Sequence, residues 1–449
     1  MKNKIIVTLL LFASIVQAQE EKKSYSFSLD QAVTHATTNN RSAINANRDI
    51  EMAKKKKWET TAAGLPQING SISYQNNFEI QKSLIPAEIF GGQPGTFQEV
   101  AFGTKHNATG NLSLTQLLFD GSYIVALQAS KTYLQFYENS KKKTDIEVRE
   151  MIINSYGSVL LADESVQILQ KNKKVLEKTL FDTDQTFKNG LIEEENVEQL
   201  KITLASVNNN LNYVTRLKDI SLKMLKVNLG IEIEDELTLT DKLDDLTQKN
   251  LDLALKSTDF NATNNINYVI TKNFVEQRNL EKKKKKLEKS KALPSLSAGI
   301  NFGYNSFGDK FTFFNSDQKY FNYSNLGITL NVPIFSSFAR SARTQQAQIA
   351  LEKAKTDLTE TEQKLKLAYQ NAKSDYEYSI EQYNSSKESL GLAERIENKQ
   401  QIKFKEGLSS SFDFTEAQRQ LYTSQQTYLQ AMVDVINKKA ALEKIIGNQ

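Results

Sequence analysis

The chain has 449 residues, no cysteine, two histidines and nearly balanced charge, with 57 basic against 53 acidic side chains. The lack of cysteine excludes disulfides, thiol catalysis, thiolate metal sites and a lipidated N-terminal Cys, and His35 and His106 lie too far apart for a local metal motif. The formal charge of +4 falls to +2 without Lys2 and Lys4, which argues against a nucleic-acid partner. No nucleophile or phosphate loop stands out either, so no enzyme, cofactor or metal is expected.

Lys2 and Lys4 precede an apolar run from Ile5 to Val16, and Val16-Gln17-Ala18 suits a cut after Ala18. Residues 1–18 therefore read as a secretory signal peptide. Glu20, Glu21, Lys22 and Lys23 follow too soon for a membrane span. No later stretch reaches the roughly 18 to 20 consecutive apolar residues of a transmembrane helix. Any membrane crossing must use strands.

Ser28 reads as the N-cap of a helix running to about Ala63, where Gly64-Leu65-Pro66 stops it. Gln67 to Ile80 then alternates at period two. Ile68, Gly70, Ile72, Tyr74, Asn76, Phe78 and Ile80 oppose an entirely polar set, Gln67, Asn69, Ser71, Ser73, Gln75, Asn77 and Glu79. A Gly/Pro-rich loop from Ile85 to Lys105 leads to a second strand, His106 to Phe119, with Asn107, Thr109, Asn111, Ser113 and Thr115 on its polar face.

From Gly121 to Lys188 the composition is helical apart from Gly157, enough for roughly 100 Å if continuous. Phe187-Lys188-Asn189-Gly190-Leu191 turns the chain. The return leg spaces Val197, Leu200, Leu204, Val207, Leu211 and Val214 alternately by three and four, a coiled-coil seam ending at Gly230.

The second half repeats the order. Ala292-Leu293-Pro294 matches Gly64-Leu65-Pro66, and two more alternating strands follow, Ser295 to Ser306 and Phe321 to Val332. Pro333-Ile334-Phe335-Ser336-Ser337 matches Leu117-Leu118-Phe119-Asp120-Gly121. A second long helix reaches the turn Phe404-Lys405-Glu406-Gly407-Leu408, and its return leg carries Phe414, Ala417, Leu421, Ser424, Tyr428, Ala431, Val435, Lys438, Leu442 and Ile445, again spaced by three and four. Gly190 to Gly230 and Gly407 to Gly447 are equal distances, so an internal duplication is expected. The expected organisation is a first repeat over 19–230 (strand pair 67–119, hairpin 121–230), an acidic connector over 231–250 with room for a small strand and helix, and a second repeat over 251–449 (strand pair 295–335, hairpin 337–447).

Each strand has the roughly 9 to 11 residues of a tilted membrane strand, and Tyr and Phe gather toward the strand ends as an interfacial girdle does. Four strands cannot close a barrel, and open edges cannot face lipid, so the missing strands must come from other copies. The expected fold is an α+β membrane protein: an oligomeric β-barrel with four strands per chain, continued by long α-helical, coiled-coil hairpins on the periplasmic side. The alternative is a periplasmic coiled-coil adaptor or structural scaffold, with the strands lying on a soluble core.

The order of signal, helix, LP-strand-loop-strand, corner, long hairpin with an F-K-x-G-L turn, acidic connector and repeat resembles the TolC-type outer-membrane efflux proteins over essentially the whole mature chain. The resemblance implies a homotrimer with a twelve-stranded barrel in outer-membrane lipid and a periplasmic α-barrel. It also implies a periplasmic adaptor linking the channel to an inner-membrane efflux pump or ABC transporter, as in tripartite efflux or type I secretion. It places adaptor docking at the hairpin tips, Gly190, Leu191, Gly407 and Leu408, and an entrance ring of carboxylates at Asp413 and Glu416. Where some members latch the entrance with an Arg–Asp pair, this chain has Ser409 and Asn196, so that ion pair is missing; Glu193 to Glu195 lie nearby. The lysine runs Lys54–Lys57 and Lys282–Lys286 read either as contacts to anionic headgroups or as solvated faces balanced by Glu51, Glu59, Glu281 and Glu288.

Overall fold

A computed structural model describes residues 22–251 and 269–446. The expected signal peptide, the start of the expected second repeat and Gly447 lie outside the described residues. The chain divides into two compact units, one drawn from Met1–Asp49, Glu138–Asn273 and Thr359–Gln449, the other from Ile50–Tyr137 and Phe274–Leu358. Each gathers segments from both halves of the sequence.

In the first unit, strand β1 (Ser24–Phe27) leads into helix α1 (Leu29–Asn39), which Ser28 and Gln31 start with a reciprocal capping box. The expected single helix to Ala63 is broken at Asn40, and α2 (Arg41–Ala62) begins afresh. Asn40 takes an extended ψ of 137°. Its side-chain oxygen accepts the Ser42 N–H at 2.8 Å and its amide donates to the Asn228 carbonyl at 2.6 Å, so it caps one helix and ties it to another.

In the second unit, four strands form one antiparallel sheet: β2 (Gln67–Asn76), β5 (His106–Asp120), β7 (Ser295–Gly308) and β8 (Phe321–Asn331), in the order β2-β5-β7-β8. Ile72, Gly110 and Tyr304 are cross-strand neighbours, as are Ser73, Thr109 and Asn305, so the two faces keep the alternation of the sequence. Ile72, Leu326 and Ile328 are 93%, 69% and 68% exposed. Within one chain the apolar face is therefore largely uncovered, and β2 and β8 each present an unpaired edge among the described residues.

The strand expected to run to Ile80 ends at Asn76, and the expected loop from Ile85 to Lys105 is in large part a further hairpin that begins before it, β3 (Lys82–Pro86) and β4 (Phe97–Ala101). Its five-residue strands are too short to carry a readable alternation. At the corner after β5, Asp120 Oδ1 accepts the Ser122 and Tyr123 N–H groups and caps helix α3 (Gly121–Lys188). Gly121 admits Leu293, since a Cβ there would lie 2.5 Å from Leu293 Cδ1. The corner after β8 has no glycine. Ser337 and Phe338 adopt φ of 47° and 63°, an unfavourable left-handed pair. The Arg340 guanidinium holds it by donating to the carbonyls of Pro333 at 2.9 Å and Ile334 at 3.2 Å.

The remaining helices of the first unit are α4 (Glu194–Leu229), the short α5 (Leu243–Asn250) after strand β6 (Glu236–Leu239), and α8 (Ser411–Ile446). Helices α6 (Val269–Ser290) and α7 (Ala339–Lys405) run through both units in sequence. β1 and β6 pair in parallel. Fully buried tyrosines on the long helices clasp this small β/α module: the Tyr156 hydroxyl is shared between the Phe27 carbonyl at 3.0 Å and Asp241 at 3.1 Å, and the Tyr376 hydroxyl donates to the Asn250 carbonyl at 2.6 Å. The seam residues Val197, Leu200, Val207 and Val214 are all buried, as are Phe414, Ala417, Ala431, Val435 and Leu442 on the second return leg.

Gly230 closes α4 at φ 79°, and a Cβ there would stand 2.1 Å from the Asn39 carbonyl oxygen; Gly190 has φ 73° but open space around it. Gly190→Ala should therefore cost only the about 1–2 kcal/mol of left-handed backbone. Gly230→Ala should cost clearly more, read as a larger drop in urea midpoint. Equal drops would show that the Asn39 contact relaxes freely.

Candidate gating and docking site at the hairpin tips

Both long helices end in the same way. Gly190 N–H bonds to the Phe187 carbonyl at 2.8 Å and Leu191 N–H to Thr186 at 3.2 Å; Gly407 N–H bonds to Phe404 at 3.1 Å and Leu408 N–H to Lys403 at 2.8 Å. This is the Schellman pattern, with glycine in the left-handed position, at φ 73° and 71°.

A third copy of the motif decides how the tip leucines are read. At the end of α4, Gly230 N–H bonds to Val227 and Ile231 N–H to Lys226, and Ile231 is 3% exposed. Leu191 and Leu408 hold the equivalent place and are 74% and 75% exposed. The motif normally packs this residue back against its own helix. At the tips that packing is not made, and two leucines stand in solvent within one chain.

The tips are stiffened from behind. Phe404 and Phe414 stack with centroids 5.4 Å apart and an interplanar angle of 6°, and Phe414 is fully buried. Between the tips lies a cleft of about 860 Å³, bordered by the carboxylates of Asp182, Glu193, Glu406 and Asp413 and by one cation, Lys405.

Asp413 and Glu416 share the first turns of α8 but have separate partners. Asp413 accepts the Ser410 N–H at 3.2 Å and its hydroxyl at 2.7 Å, while Ser410 Oγ accepts the Asp413 N–H at 3.1 Å. This reciprocal cap holds the Asp413 carboxyl below the usual range. Glu416 accepts from Arg419 Nε at 2.9 Å, which lowers its pKa as well. Both stay ionised to lower pH than ordinary carboxylates, and Arg419 offsets the Glu416 charge locally.

The sequence reading missed the link between the two tips. Asn196 Oδ1 accepts the Ser411 N–H at 3.2 Å, and its amide donates to the Glu193 carbonyl at 3.3 Å. A neutral hydrogen bond thus joins the first tip to the second at a position named in the sequence only for lacking an ion pair. Further back along α7, burial pushes the Glu397 carboxyl up, and Gln418 on α8 is buried. Nothing in the spacing of Gln418 marks it as buried.

Elsewhere, Lys56 pairs with Glu59 at 2.8 Å and Lys284 with Glu281 at 2.6 Å, while Lys283 donates to Gln128 at 2.9 Å. Lys282, Lys285, Lys286 and Lys289 border a cleft of about 560 Å³. His35 packs on Phe27 and His106 bonds to the Tyr74 hydroxyl. Among the described residues there is no cluster of three metal-ligating side chains, and no helix is long and apolar enough to cross a membrane.

Asn196→Ala removes the acceptor of the Ser411 amide. One hydrogen bond is worth about 0.5–1.5 kcal/mol, so exchange of that amide should quicken about 2- to 10-fold by hydrogen-exchange mass spectrometry. An unchanged rate would show that the link does not hold in solution.

Residues 277–448 match the family model described as outer membrane efflux protein. No curated protein sequence matches the chain. Among solved structures, the chain is similar to CusC, whose crystal structures concern folding and transmembrane channel formation, with TM-score 0.76 and 15% identity over 96% of this chain and 95% of that one. It is also similar to the CmeC outer membrane channel of Campylobacter jejuni, with TM-score 0.73 and 18% identity over 96% and 90%. The outer membrane protein VceC of Vibrio cholerae gives 0.69 and 16% over 93% and 96%. Four amphipathic strands, two long hairpins and these likenesses lead to one conclusion: residues 277–448 match the outer membrane efflux protein model, and the chain has the fold of these solved outer membrane channels.

Proposed function

We propose that this chain forms the outer-membrane exit duct of a tripartite efflux or type I secretion assembly. Three copies close a twelve-stranded barrel in outer-membrane lipid, and the helical hairpins form a tube in the periplasm. Solutes or proteins pass without chemistry on the way. The observation that carries this reading is the β2-β5-β7-β8 sheet, with a polar face, an uncovered apolar face and two unpaired edges. A lone sheet of this kind is stable neither in water nor in lipid. A closed ring in a bilayer satisfies both faces and both edges. A periplasmic adaptor engages Leu191 and Leu408, whose exposure the cap does not explain, and passes on cargo from an inner-membrane pump or ABC transporter. Asp413 lies on the cleft between the tips, and with Glu416 it forms the carboxylate ring of the entrance.

The register within the chain supplies the register between copies. In the first hairpin Gln67 faces Thr115, and in the second Ser295 faces Asn331. Between the hairpins Thr115 faces Gly299, four residues beyond Ser295. The same step at the seam sets Asn331 of one copy against Ser71 of the next, four residues beyond Gln67. Because the chain lacks cysteine, Ser71→Cys with Asn331→Cys should crosslink chains into covalent dimers and trimers on oxidation, well above the displaced pair Ser73→Cys with Asn331→Cys. The trimer should conduct in planar bilayers. A non-conducting protein that needs no detergent would put the periplasmic adaptor or scaffold in front.

In the conducting protein, Asp413→Asn with Glu416→Gln should lower the cation preference measured by reversal potential. Unchanged selectivity would remove these residues from the entrance.

A further inference from the structure

The connection between β7 and β8 does more than turn the chain. Residues 309–320 fold back over the sheet and are tied by their own hydrogen bonds. Thr312 Oγ1 donates to Gln318 Oε1 at 2.6 Å, Gln318 Nε2 donates to Ser306 Oγ at 2.7 Å, and that hydroxyl donates to the Lys319 carbonyl at 2.7 Å. The Tyr320 hydroxyl donates to the Phe313 carbonyl.

This frame holds three phenylalanines at the apolar face of the sheet. Phe311 meets Tyr74 edge to face with centroids 5.3 Å apart, Phe313 meets the same ring at 5.8 Å, and the two phenylalanines cross each other at 5.4 Å. Phe313 is buried, whereas Phe314 is 91% exposed. Together with Ile72, Gly110 and Tyr304 on the strands below, they enclose a groove of about 670 Å³. Ile72, Gly110 and Tyr304 form one cross-strand row, so the groove opens on the apolar side of the sheet and not on the polar one. Its floor is bare at Gly110, where a Cβ would meet no heavy atom within 4 Å and the backbone is not left-handed.

We propose that this groove seats an acyl chain of an anionic, phosphate-bearing membrane lipid. The inference rests on the reading of the apolar face as the lipid-facing side of the barrel. The occupant follows from continuity and charge. The groove is a recess in the very surface that meets hydrocarbon, framed by the loop's own hydrogen bonds before any chain enters it, so filling it costs little ordering. It lies at the end of the sheet away from the long helices, where β2 ends and β5 begins. At that end Tyr74 OH and His106 Nδ1 lie 2.8 Å apart, a polar pair at the limit of the apolar recess. Lys310 and Lys319 bracket the aromatic loop and Lys105 precedes His106, all exposed and without an ion pair among the described residues. The neighbouring acids are Asp309, which accepts the Lys105 N–H at 3.5 Å, and Asp317, which accepts from Ser316. These three ammonium groups without an ion pair favour an anionic headgroup over a zwitterionic one.

The test uses the full chain, purified in detergent and supplied with dioleoyl phosphatidylglycerol or dioleoyl phosphatidylcholine, with retained lipids counted by native mass spectrometry. The unaltered trimer is expected to retain phosphatidylglycerol in preference to phosphatidylcholine. Gly110→Leu, which fills the recess from its floor, should retain it about tenfold less, with trimer and conductance unchanged. Lys105→Gln with Lys310→Gln and Lys319→Gln should erase the preference between the two lipids. Equal retention by Gly110→Leu would overturn the proposal, as would a trimer that retains no lipid because a second copy covers the groove. In both cases conductance persists, so the channel reading stands; loss of conductance in the unaltered protein would instead remove the channel reading.

Discussion

The whole arrangement depends on backbone hydrogen bonding at the edges of one four-stranded sheet. In hydrocarbon an unpaired N–H or C=O costs several kcal/mol, and the outer strands β2 and β8 each present a row of them. No side-chain adjustment removes such a cost; only another strand does. The oligomer is therefore a requirement set by the backbone, and the side chains then decide which surface faces lipid and which faces water. The two hairpins have matching registers, so that in the proposed trimer the step from β5 to β7 inside the chain is the template for the step from β8 to β2 of the next copy.

The long helices solve a different problem. A helix of 68 or 67 residues has far more surface than one chain can bury; what is covered is a stripe on each, such as Ile152, Tyr156 and Leu169 on the first and Tyr369, Tyr376 and Ile380 on the second, with the facing seams from Val197 to Val214 and from Phe414 to Leu442 on the return legs. What keeps the legs of the first unit in register is the small module of β1, β6 and α5. Tyr156 and Tyr376 reach into it with hydroxyls bonded to its backbone. A buried tyrosine that found no such partner would be costly, so the clasp is specific as well as apolar.

How much of this was legible depended on the range of the interaction. The strands were plain because every odd position from Gln67 to Gln75 is polar, and no other register hides the apolar set, although the alternation runs on past the end of β2 at Asn76. The seams were plain because the three-and-four spacing needs only neighbouring turns. Asn40 was not, since a lone Asn in a helical stretch becomes a break only when Asn228 and Gly230, far away in sequence, need room. The parallel pairing of β1 with β6 joins residues more than 200 positions apart and leaves no local trace. At the tips, the turn glycines and exposed leucines were readable from the motif alone. The roles of Asp413 as a cap partner and Glu416 as an ion-pair partner needed the positions of Ser410 and Arg419 in space.

The bond from Ser411 to Asn196 joins two neutral groups. An ion pair at the same place would weaken as salt screens it and would vanish as a carboxylate takes up its proton. A carboxamide does neither. That bond is therefore indifferent to ionic strength and acidity, and at about 1 kcal/mol it is a minor tie beside the apolar cluster that joins Phe404, Phe414 and Tyr422 of the second hairpin to Leu176, Leu180 and Leu200 of the first. Whatever separates the tips must therefore prise apart apolar packing as well as this bond.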